Sequence, residues 1–335
     1  MKQEMQRKLL ILFFILISMI FIPLLSVNKK RELINLESPL KLSEERKESN
    51  SNFFKILDKS SGKIIKVPDE EFLYSVVSCE MPALYEKEAI KAQAVASYTY
   101  FCRERSNSRK ENSKEYDFTA DTSKWINYIP EDQMKIKWGN NFEKYYTRIK
   151  TCVNEVFPQV IEENGNLIFA AYHAISSGET EKCQDVFGGD LKYLTNVESP
   201  GDKLASGYET KTEISIQEFK EKIKNNSKNI SFEGNPSNWI KINSRTQGGM
   251  VKEITICSEP FKGQQIRKIF GLRSSDFTVD FNSENEKIVF TVKGYGHGVG
   301  MSQSGAQYMA KQGASYQKIL SWYYPGTSIS KLKKI

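Results

Sequence analysis

The feature that most limits how this chain of 335 residues can fold is an apolar run near its start. Leu9 to Val27 reads LLILFFILISMIFIPLLSV, which is 19 residues without a charged side chain. A helix that crosses a bilayer needs about 20 apolar residues, whereas a signal peptide has a shorter apolar core and a small-residue cleavage site. The run ends at Leu25-Ser26-Val27 with no Ala-x-Ala pattern. We therefore predict an uncleaved membrane anchor over residues 9–27.

The segments on either side of this run are short or polar. Residues 28–52 include the stretch SEERKESNSN, which cannot bury an apolar core. Three cations lie close on each side of the run, so the positive-inside rule does not choose an orientation. Because the N-terminal stub is small and the remainder is large, we expect a cytoplasmic stub, residues 1–8. A flexible tether, residues 28–52, and one extracytoplasmic body, residues 53–335, are expected to follow.

Composition narrows the class of protein only modestly. The net charge is +7, from 48 Lys and Arg against 41 Asp and Glu. This excess permits attraction to an anionic polymer such as nucleic acid, lipid headgroups or cell wall, but it also fits an ordinary solvated surface. The five cysteines are scattered with no CxxC pair, which excludes zinc-finger and thioredoxin-like spacing. Their odd number precludes complete pairing, so most are expected to be small buried hydrophobes.

Hydrophobic periodicity predicts an α+β body of mixed helices and antiparallel strands. A first hairpin is expected near residue 53 with its turn at Ser61-Gly62, and residues 104–118 are expected to be a loop. The other predicted elements are helices at Glu71–Ser78, Tyr85–Cys102, Ile216–Ile223 (after a linker from residue 199), Ser304–Gln312 and Tyr316–Trp322, and strands at Gln159–Ile161, Leu167–Ala174, Trp239–Asn243, Val251–Cys257 and Lys287–Val292.

Two turns rich in small residues hold both histidines of the chain. Residues 294–305 read GYGHGVGMSQSG, and residues 172–178 read YHAISSG. Dense glycine lets the backbone approach a ligand closely or adopt positive φ. A binding surface is therefore one interpretation, and a tight loop before a helix is the other. The dinucleotide, Walker and nucleophile-elbow patterns all fail in the first segment.

A third candidate segment is Cys79-Glu80-Met81-Pro82. Here an acidic residue lies at a predicted helix break among apolar neighbours. An apolar pocket raises the pKa of a carboxyl group, as a glycosidase acid requires. The alternative interpretation is a helix-capping or solvated carboxylate. Because a nearby helix N-terminus would favour the carboxylate, desolvation must dominate if Glu80 acts as an acid.

These segments together resemble the stage II sporulation protein D family and its amidase-enhancer relatives. The resemblance rests on YSVVSCEMPALYEKEAIKAQAVASYTY (74–100), YHAISSGET (172–180) and GYGHGVGMSQSGAQYMAKQG (294–313). IRKIFGLRSSDF (266–277) and the residues Tyr323 to Thr327 also fit. The resemblance covers roughly residues 55–330.

The resemblance implies a lytic transglycosylase that cuts peptidoglycan glycan strands already stripped of stem peptides during forespore engulfment. The family's catalytic glutamate falls on Glu80, which would serve as both acid and base. This agrees with the absence of an obvious second carboxylate, which most glycosidases need. The implied substrate-binding residues are His173, Ser176, Ser177, Gly178, Tyr295, His297, Gly298, Ser302 and Gln303. We expect Glu80, His173 and His297 to line one cleft.

Partners and cofactors follow from the same resemblance. It implies the partner amidase, stage II sporulation protein P, other engulfment proteins and a single-pass location in the sporulation membrane, and it implies no nucleic acid. Some clostridial relatives hold zinc through a Cys and a His-Cys pair after the second helix. The matching stretch, Phe118 to Tyr128, has neither residue type, and Cys183 with His173 would supply only two ligands. We therefore predict no metal and no cofactor.

Two rival functions remain from the sequence. One is a non-catalytic glycan-binding module that activates a cell-wall amidase, as the enhancer branch does. The other is a serine or cysteine hydrolase that uses Ser302 or Cys79 with a histidine, although no spacing supports a triad.

Overall fold

The computed structural model describes residues 53–111, 115–227 and 230–332. The predicted stub, the anchor over Leu9–Val27 and the tether lie outside these residues. Across the described ranges, no helix is both long enough and apolar enough to cross a bilayer.

The described chain contains both helices and strands throughout. In chain order the strands are β1 (Phe53–Asp58), β2 (Ile64–Pro68), β3 (Phe118–Ala120), β4 (Gln159–Glu163), β5 (Asn166–Leu167), β6 (Tyr172–His173), β7 (Glu209–Ser215), β8 (Ile240–Arg245), β9 (Val251–Ile256), β10 (Glu259–Lys262), β11 (Asp276–Asn282), β12 (Lys287–Lys293), β13 (Met301–Ser302) and β14 (Ser328–Lys331). The α-helices are α1 (Asp69–Glu80), α2 (Lys87–Glu111), α3 (Glu131–Trp138), α4 (Phe142–Val156), α5 (Cys183–Val186), α6 (Ile216–Lys224), α7 (Gly263–Phe270), α8 (Gln303–Lys311) and α9 (Tyr316–Tyr323).

Backbone contacts divide the chain into two compact units. The described part of the first unit comprises residues 53–171 and 306–332, and the second unit comprises residues 172–305 apart from residues 228 and 229. Each unit combines helices with mostly antiparallel strands. The predicted α+β class is therefore confirmed, with two parallel pairs, β1 with β3 and β6 with β13, that the sequence did not indicate.

The first unit begins with the predicted hairpin. Strand β1 pairs with β2, and Gly62 closes the turn at φ 70° while its N–H donates to the Asp58 carbonyl. Alternate residues of β1, Phe54 and Ile56, point into the core. Phe54 lies 4.7 Å from the Phe72 ring of α1, measured between ring centroids. The hairpin is thereby fixed to the helix that ends at the candidate catalytic residue.

Helix α2 is longer than predicted, so the expected loop over residues 104–118 is wrong for its first half. The polar side chains of this stretch are used inside the unit. The Arg105 guanidinium pairs with the Asp69 carboxylate at 2.7 Å, and the Tyr98 hydroxyl donates to the same carboxylate at 2.9 Å. Because buried charges persist when they are paired and hydrogen-bonded, this polar sequence continues as a helix.

Other differences concern residues 131–174. Helices α3 and α4 were not predicted, although α4 buries Ile149, Val153 and Val156 on one face. The predicted strand Leu167–Ala174 is instead two short strands, β5 and β6, with irregular chain between them. The turn at Asn164-Gly165 joins β4 to β5 with φ of 51° and 76°, as a tight hairpin requires.

The second unit contains two three-stranded antiparallel sheets, in the orders β10-β9-β8 and β11-β12-β7. Helices α6 and α7 contribute Phe219 and Phe270, which stack with centroids 5.1 Å apart, to the core that these sheets cover. The predicted linker from residue 199 is wrong at residues 209–215. These residues form β7, which pairs with β12 and alternates between exposed and partly buried positions along most of its length. The predicted helix after it and the three predicted strands of this unit are present.

Candidate functional site

Glu80 is the last residue of α1, and it is partly buried. Helix α1 stops there because Pro82 forces the preceding residue into extended backbone. Met81 has φ −123° and ψ 144°, and its N–H closes the helix on the Val77 carbonyl. Glu80 therefore lies at the C-terminal end of a helix dipole, where a negative charge is disfavoured. A helix N-terminus would instead favour the carboxylate, but Glu80 lies at the opposite end of α1, so α1 itself does not have that effect.

The groups around Glu80 in the first unit are a lysine, a thiol and a phenol. The Lys137 ammonium donates to the Ser78 carbonyl at 2.8 Å. Burial lowers the pKa of Lys137, while the nearby Glu80 charge acts to raise it. Burial raises the pKa of the Cys79 thiol to about 12, and it also raises the pKa of Tyr100, to which the Glu80 charge contributes. At neutral pH the thiol and the phenol are uncharged, which leaves Cys79 poorly suited to act as a nucleophile.

The second unit brings together the two turns that contain histidine. Strand β13 pairs in parallel with β6, so that Met301 faces Tyr172 and Ser302 faces His173. Tyr295 pairs with Ile175 through two backbone hydrogen bonds of 2.7 and 3.0 Å. The rings of His173 and His297 lie 5.7 Å apart. The two turns therefore meet in space within this unit, and the prediction that they share a cleft with Glu80 stays a prediction.

Glycine is required where the two turns pack most closely. Gly296 has φ 119°, and a Cβ atom there would lie 2.7 Å from the Cβ of His173. Gly298 has φ 77°, and a Cβ atom there would lie 2.8 Å from the Cγ of Glu181. Any side chain at Gly296 or Gly298 would therefore push this loop away from His173 and Glu181.

The predicted binding serines Ser176 and Ser302 are buried and share one partner, Asp202. Ser302 donates to Asp202 Oδ1 at 2.7 Å, and the backbone N–H of Ser176 donates to Asp202 Oδ2 at 2.9 Å, with the Ser176 hydroxyl bonded to the same oxygen. Ser302 also accepts the Gly305 N–H at the start of α8. These bonds connect the turn after β6, strand β13 and the segment after residue 199. The observed role of the two hydroxyls is to hold the turns, and their contact with a glycan stays a prediction.

Both histidines are neutral, with opposite tautomers. His173 Nδ1 lies 3.1 Å from the Val299 carbonyl, which can only accept, so Nδ1 carries the proton. His297 Nδ1 accepts the Val299 N–H at 3.1 Å, so its proton is on Nε2. Burial lowers the pKa of His173 to about 4. Burial, His173 and Arg267 together lower the pKa of His297 well below its usual value. A neutral imidazole could act as a general base, but the Ser302 hydroxyl donates to Asp202 rather than to an imidazole, so the Ser302–histidine hydrolase gains no support.

The remaining predicted substrate-binding residues of this unit have different surroundings. Ser177 is partly exposed and donates to the Gly248 carbonyl at 2.7 Å. Gly178 is also partly exposed and has φ 111°. The Tyr295 ring carries the Arg273 guanidinium 4.3 Å from its centroid, and Gln303 is buried at the start of α8. Their glycan contacts, and the cleft expected to join them with Glu80, stay predictions.

Glu181 is a further candidate that the sequence motifs do not identify, although it follows the YHAISSGET motif directly. Its carboxyl is 1% exposed. Oε1 accepts from the Thr246 hydroxyl at 2.8 Å and from the Met250 N–H at 3.2 Å, whereas Oε2 has no hydrogen-bond partner among the described residues. Burial raises the pKa of Glu181 to about 7. No local pattern marks this residue, because its burial depends on segments more than sixty positions away.

The segment Phe118 to Tyr128, which the resemblance aligns with a zinc site, lacks Cys and His. It forms β3 and a short turn in which Trp125 adopts φ 54°. Over the described residues, no three His, Cys, Asp or Glu side chains are grouped so that they could hold a metal ion. Independence from zinc stays a prediction.

Comparison with known proteins places the chain among sporulation proteins. Residues 58–162 match the family model described as Stage II sporulation protein. The chain is 33% identical over 264 residues to Stage II sporulation protein D of Bacillus subtilis (strain 168), covering 79% of this chain and 75% of that one. It is 32% identical over 271 residues to Stage II sporulation protein D of Bacillus amyloliquefaciens, with coverage of 81% and 76%. An Amidase enhancer of Bacillus subtilis is 26% identical over 307 residues, which spans 77% of this chain and 40% of the enhancer.

An α+β protein with an acidic residue at a helix end and two interlocked glycine-rich turns is thus matched, over most of its length, by sporulation proteins. The chain belongs to the stage II sporulation protein D family.

Proposed function

We propose that this chain is a peptidoglycan lytic transglycosylase that acts during sporulation, with Glu80 as the acid and then the base. The observation that supports this most is the position of Glu80, partly buried at the C-terminal end of α1, inside the stretch that matches the family model. A helix C-terminus disfavours the carboxylate and so favours the protonated acid that the first step needs.

The reaction needs one carboxyl group and no added reactant. The Glu80 acid gives its proton to the glycosidic oxygen as the bond from that oxygen to C1 of the muramyl sugar breaks. The resulting carboxylate then takes the proton of the C6 hydroxyl of the same sugar. The C6 oxygen bonds to C1, which leaves a 1,6-anhydro end and a free sugar end. Water does not enter, and Glu80 is again protonated when the cycle closes.

The substrate, partners and location belong to the same proposal. The substrate is glycan freed of stem peptides, so an amidase must act first, and stage II sporulation protein P is the partner we propose. The two interlocked turns of the second unit would bind the strand through partly exposed groups such as Ser177 and Gly178. Residues 9–27 would anchor the chain in the membrane with its body outside the cytoplasm.

A second candidate function is the activation of an amidase without catalysis. Similarity to the Amidase enhancer over 77% of this chain favours it. The two functions differ in their dependence on Glu80, because an activator needs a folded surface but no transferable proton.

The test compares the wild-type chain with Glu80→Gln and with Glu71→Gln, an exposed carboxylate on the same helix. Each is incubated with denuded glycan strands, and 1,6-anhydro-muramyl ends are counted by mass spectrometry. The proposal expects products from wild type and Glu71→Gln and none from folded Glu80→Gln. Products from folded Glu80→Gln would contradict the mechanism. A parallel assay adds an amidase and peptidoglycan that keeps its stem peptides. Stimulation of that amidase by all three proteins, without anhydro ends from any, would favour the second candidate.

A further inference from the structure

Helix α1 ends without a cation of its own. The last four carbonyls of any helix lack partners within the helix, and they carry its partial negative charge. Lysine or arginine in the last turn usually balances that charge, but the last turn of α1 has no basic residue and finishes with Glu80 itself. The end of this helix therefore concentrates negative charge at the residue that we propose to be catalytic.

A lysine from another helix supplies the missing cation. Lys137 lies on α3, and its ammonium donates to the Ser78 carbonyl in the last turn of α1 at 2.8 Å. The same nitrogen lies 5.3 Å from the centroid of the Trp125 ring and 5.9 Å from that of Trp138. Aromatic faces attract a cation and restrict its movement. Lys137 is thus held at one place by a carbonyl and two rings.

The titratable groups that face this ammonium are few among the described residues. From α1 they are Cys79 and Glu80, both of which act on Lys137 electrostatically. The phenol of Tyr128 in turn faces Cys79, and that of Tyr100 on α2 faces Glu80. Burial raises the pKa of the thiol and of both phenols, so they are uncharged at neutral pH. Glu80 is the acidic group among them whose charge Lys137 can balance.

We propose that Lys137 is a positioning residue for Glu80, which fixes the last turn of α1 and stabilises the carboxylate that forms when Glu80 releases its proton. This inference rests on the proposed function. A single carboxyl that serves first as acid and then as base must be stable in both states. The helix end favours the acid and the lysine favours the carboxylate, so the two effects oppose each other at one side chain.

The test uses the full chain, purified in a nonionic detergent, as wild type, Lys137→Met, Lys137→Arg and Lys135→Met. Lys135 lies on the same helix, is exposed and pairs with Glu131, so its replacement controls for loss of one positive charge. The rate of formation of anhydro ends is measured from pH 4 to pH 9. We expect Lys137→Met to lose roughly tenfold in kcat and to move the alkaline limb of the rate profile upward by about 1 pH unit. Lys137→Arg should keep the limb in place, and Lys135→Met should match wild type.

A second measurement does not depend on activity. The carboxyl carbon of Glu80, labelled with ¹³C and assigned by its absence in Glu80→Gln, is titrated by NMR in the same variants. The midpoint should rise by about 1 pH unit in Lys137→Met only. An unchanged midpoint overturns the proposal, and a rate loss without a shift of the limb reduces Lys137 to a structural role. If the wild-type chain makes no anhydro ends while the midpoint shifts as expected, the proposed function fails and the role of Lys137 stands.

Discussion

Replacing Glu181 with glutamine should change how the stability of the second unit depends on pH. The Glu181 carboxyl is 1% exposed, and one of its oxygens has no hydrogen-bond partner among the described residues. Burial raises its pKa from 4.5 to about 7. Glutamine keeps the shape and keeps an oxygen that can accept from Thr246 and Met250, but it cannot ionise.

The size and sign of the effect follow from linkage. Below pH 4.5 the carboxyl is protonated in both the folded and the unfolded chain, so it contributes nothing. Between pH 4.5 and about 7 the unfolded chain releases the proton while the folded chain keeps it, so the free energy of unfolding falls as pH rises. A shift of about 2.5 pKa units corresponds to a loss of about 3 kcal/mol, which is complete above pH 7. The buried position gives no reason to reduce this figure for solvent screening.

His173 has the opposite effect over nearly the same range. Its pKa falls from 6.5 to about 4, so below pH 6.5 the unfolded chain gains a proton that the folded chain refuses, and stability falls as pH falls. In the wild-type chain the two contributions offset each other between about pH 4.5 and pH 6.5. Removing Glu181 should expose the dependence on His173 and on His297, whose pKa is also lowered, and stability should then rise with pH across that window.

The assay is urea unfolding of the full chain at half-unit intervals from pH 4 to pH 8. Unfolding is detected by hydrogen exchange in peptides from residues 172–305, so that the second unit is observed. Glu179→Gln, a partly exposed carboxylate two positions away, is the matched control. The difference in unfolding free energy, wild type minus Glu181→Gln, should fall by about 3 kcal/mol between pH 4.5 and pH 7.5. A difference that stays constant with pH would refute the assignment of a buried, neutral Glu181.

Three further predictions concern packing and metal content. Arg105→Met should lower the unfolding free energy by about 3–5 kcal/mol, because it leaves the Asp69 charge buried and unpaired, and the added change Asp69→Asn should recover part of the loss in thermal melts. Gly298→Ala should lower the unfolding free energy by about 1–3 kcal/mol more than Gly271→Ala does. Both glycines have positive φ, but only a Cβ atom at position 298 would contact a buried carboxylate side chain. Equal melting temperatures of the two variants would contradict this. Treatment with a chelator should leave fold and cleavage rate unchanged, whereas stoichiometric zinc whose removal abolishes activity would show that the metal prediction is wrong.

Local signals account for the parts of the fold that the sequence predicted. The end of α1 at Glu80 follows from Pro82, which acts on its immediate neighbour. The hairpin turn at Ser61-Gly62 follows from glycine at positive φ. The helical spacing of Ile149, Val153 and Val156 is also a local signal, and it is sufficient to predict α4.

Other features depend on partners far away in the chain. The polar stretch after residue 103 has the composition of a loop. It continues as a helix because Arg105 pairs with Asp69 inside the first unit. Asp202 shows no motif, yet it joins Ser176 and Ser302. Glu181 is likewise identified only when Thr246 and Met250 surround it. Tertiary packing decides burial in these cases, and neither periodicity nor spacing within a segment carries that information.

The measurement that tests the central claim most directly is the chemistry of the glycan ends. Denuded glycan strands are incubated with the wild-type chain and with Glu80→Gln, and the products are analysed by mass spectrometry in water enriched in ¹⁸O. The account predicts 1,6-anhydro-muramyl ends without ¹⁸O from wild type, and no new ends from the variant. Reducing ends that carry ¹⁸O would show hydrolysis instead, and intact strands after incubation with a folded wild-type chain would contradict glycan cleavage altogether.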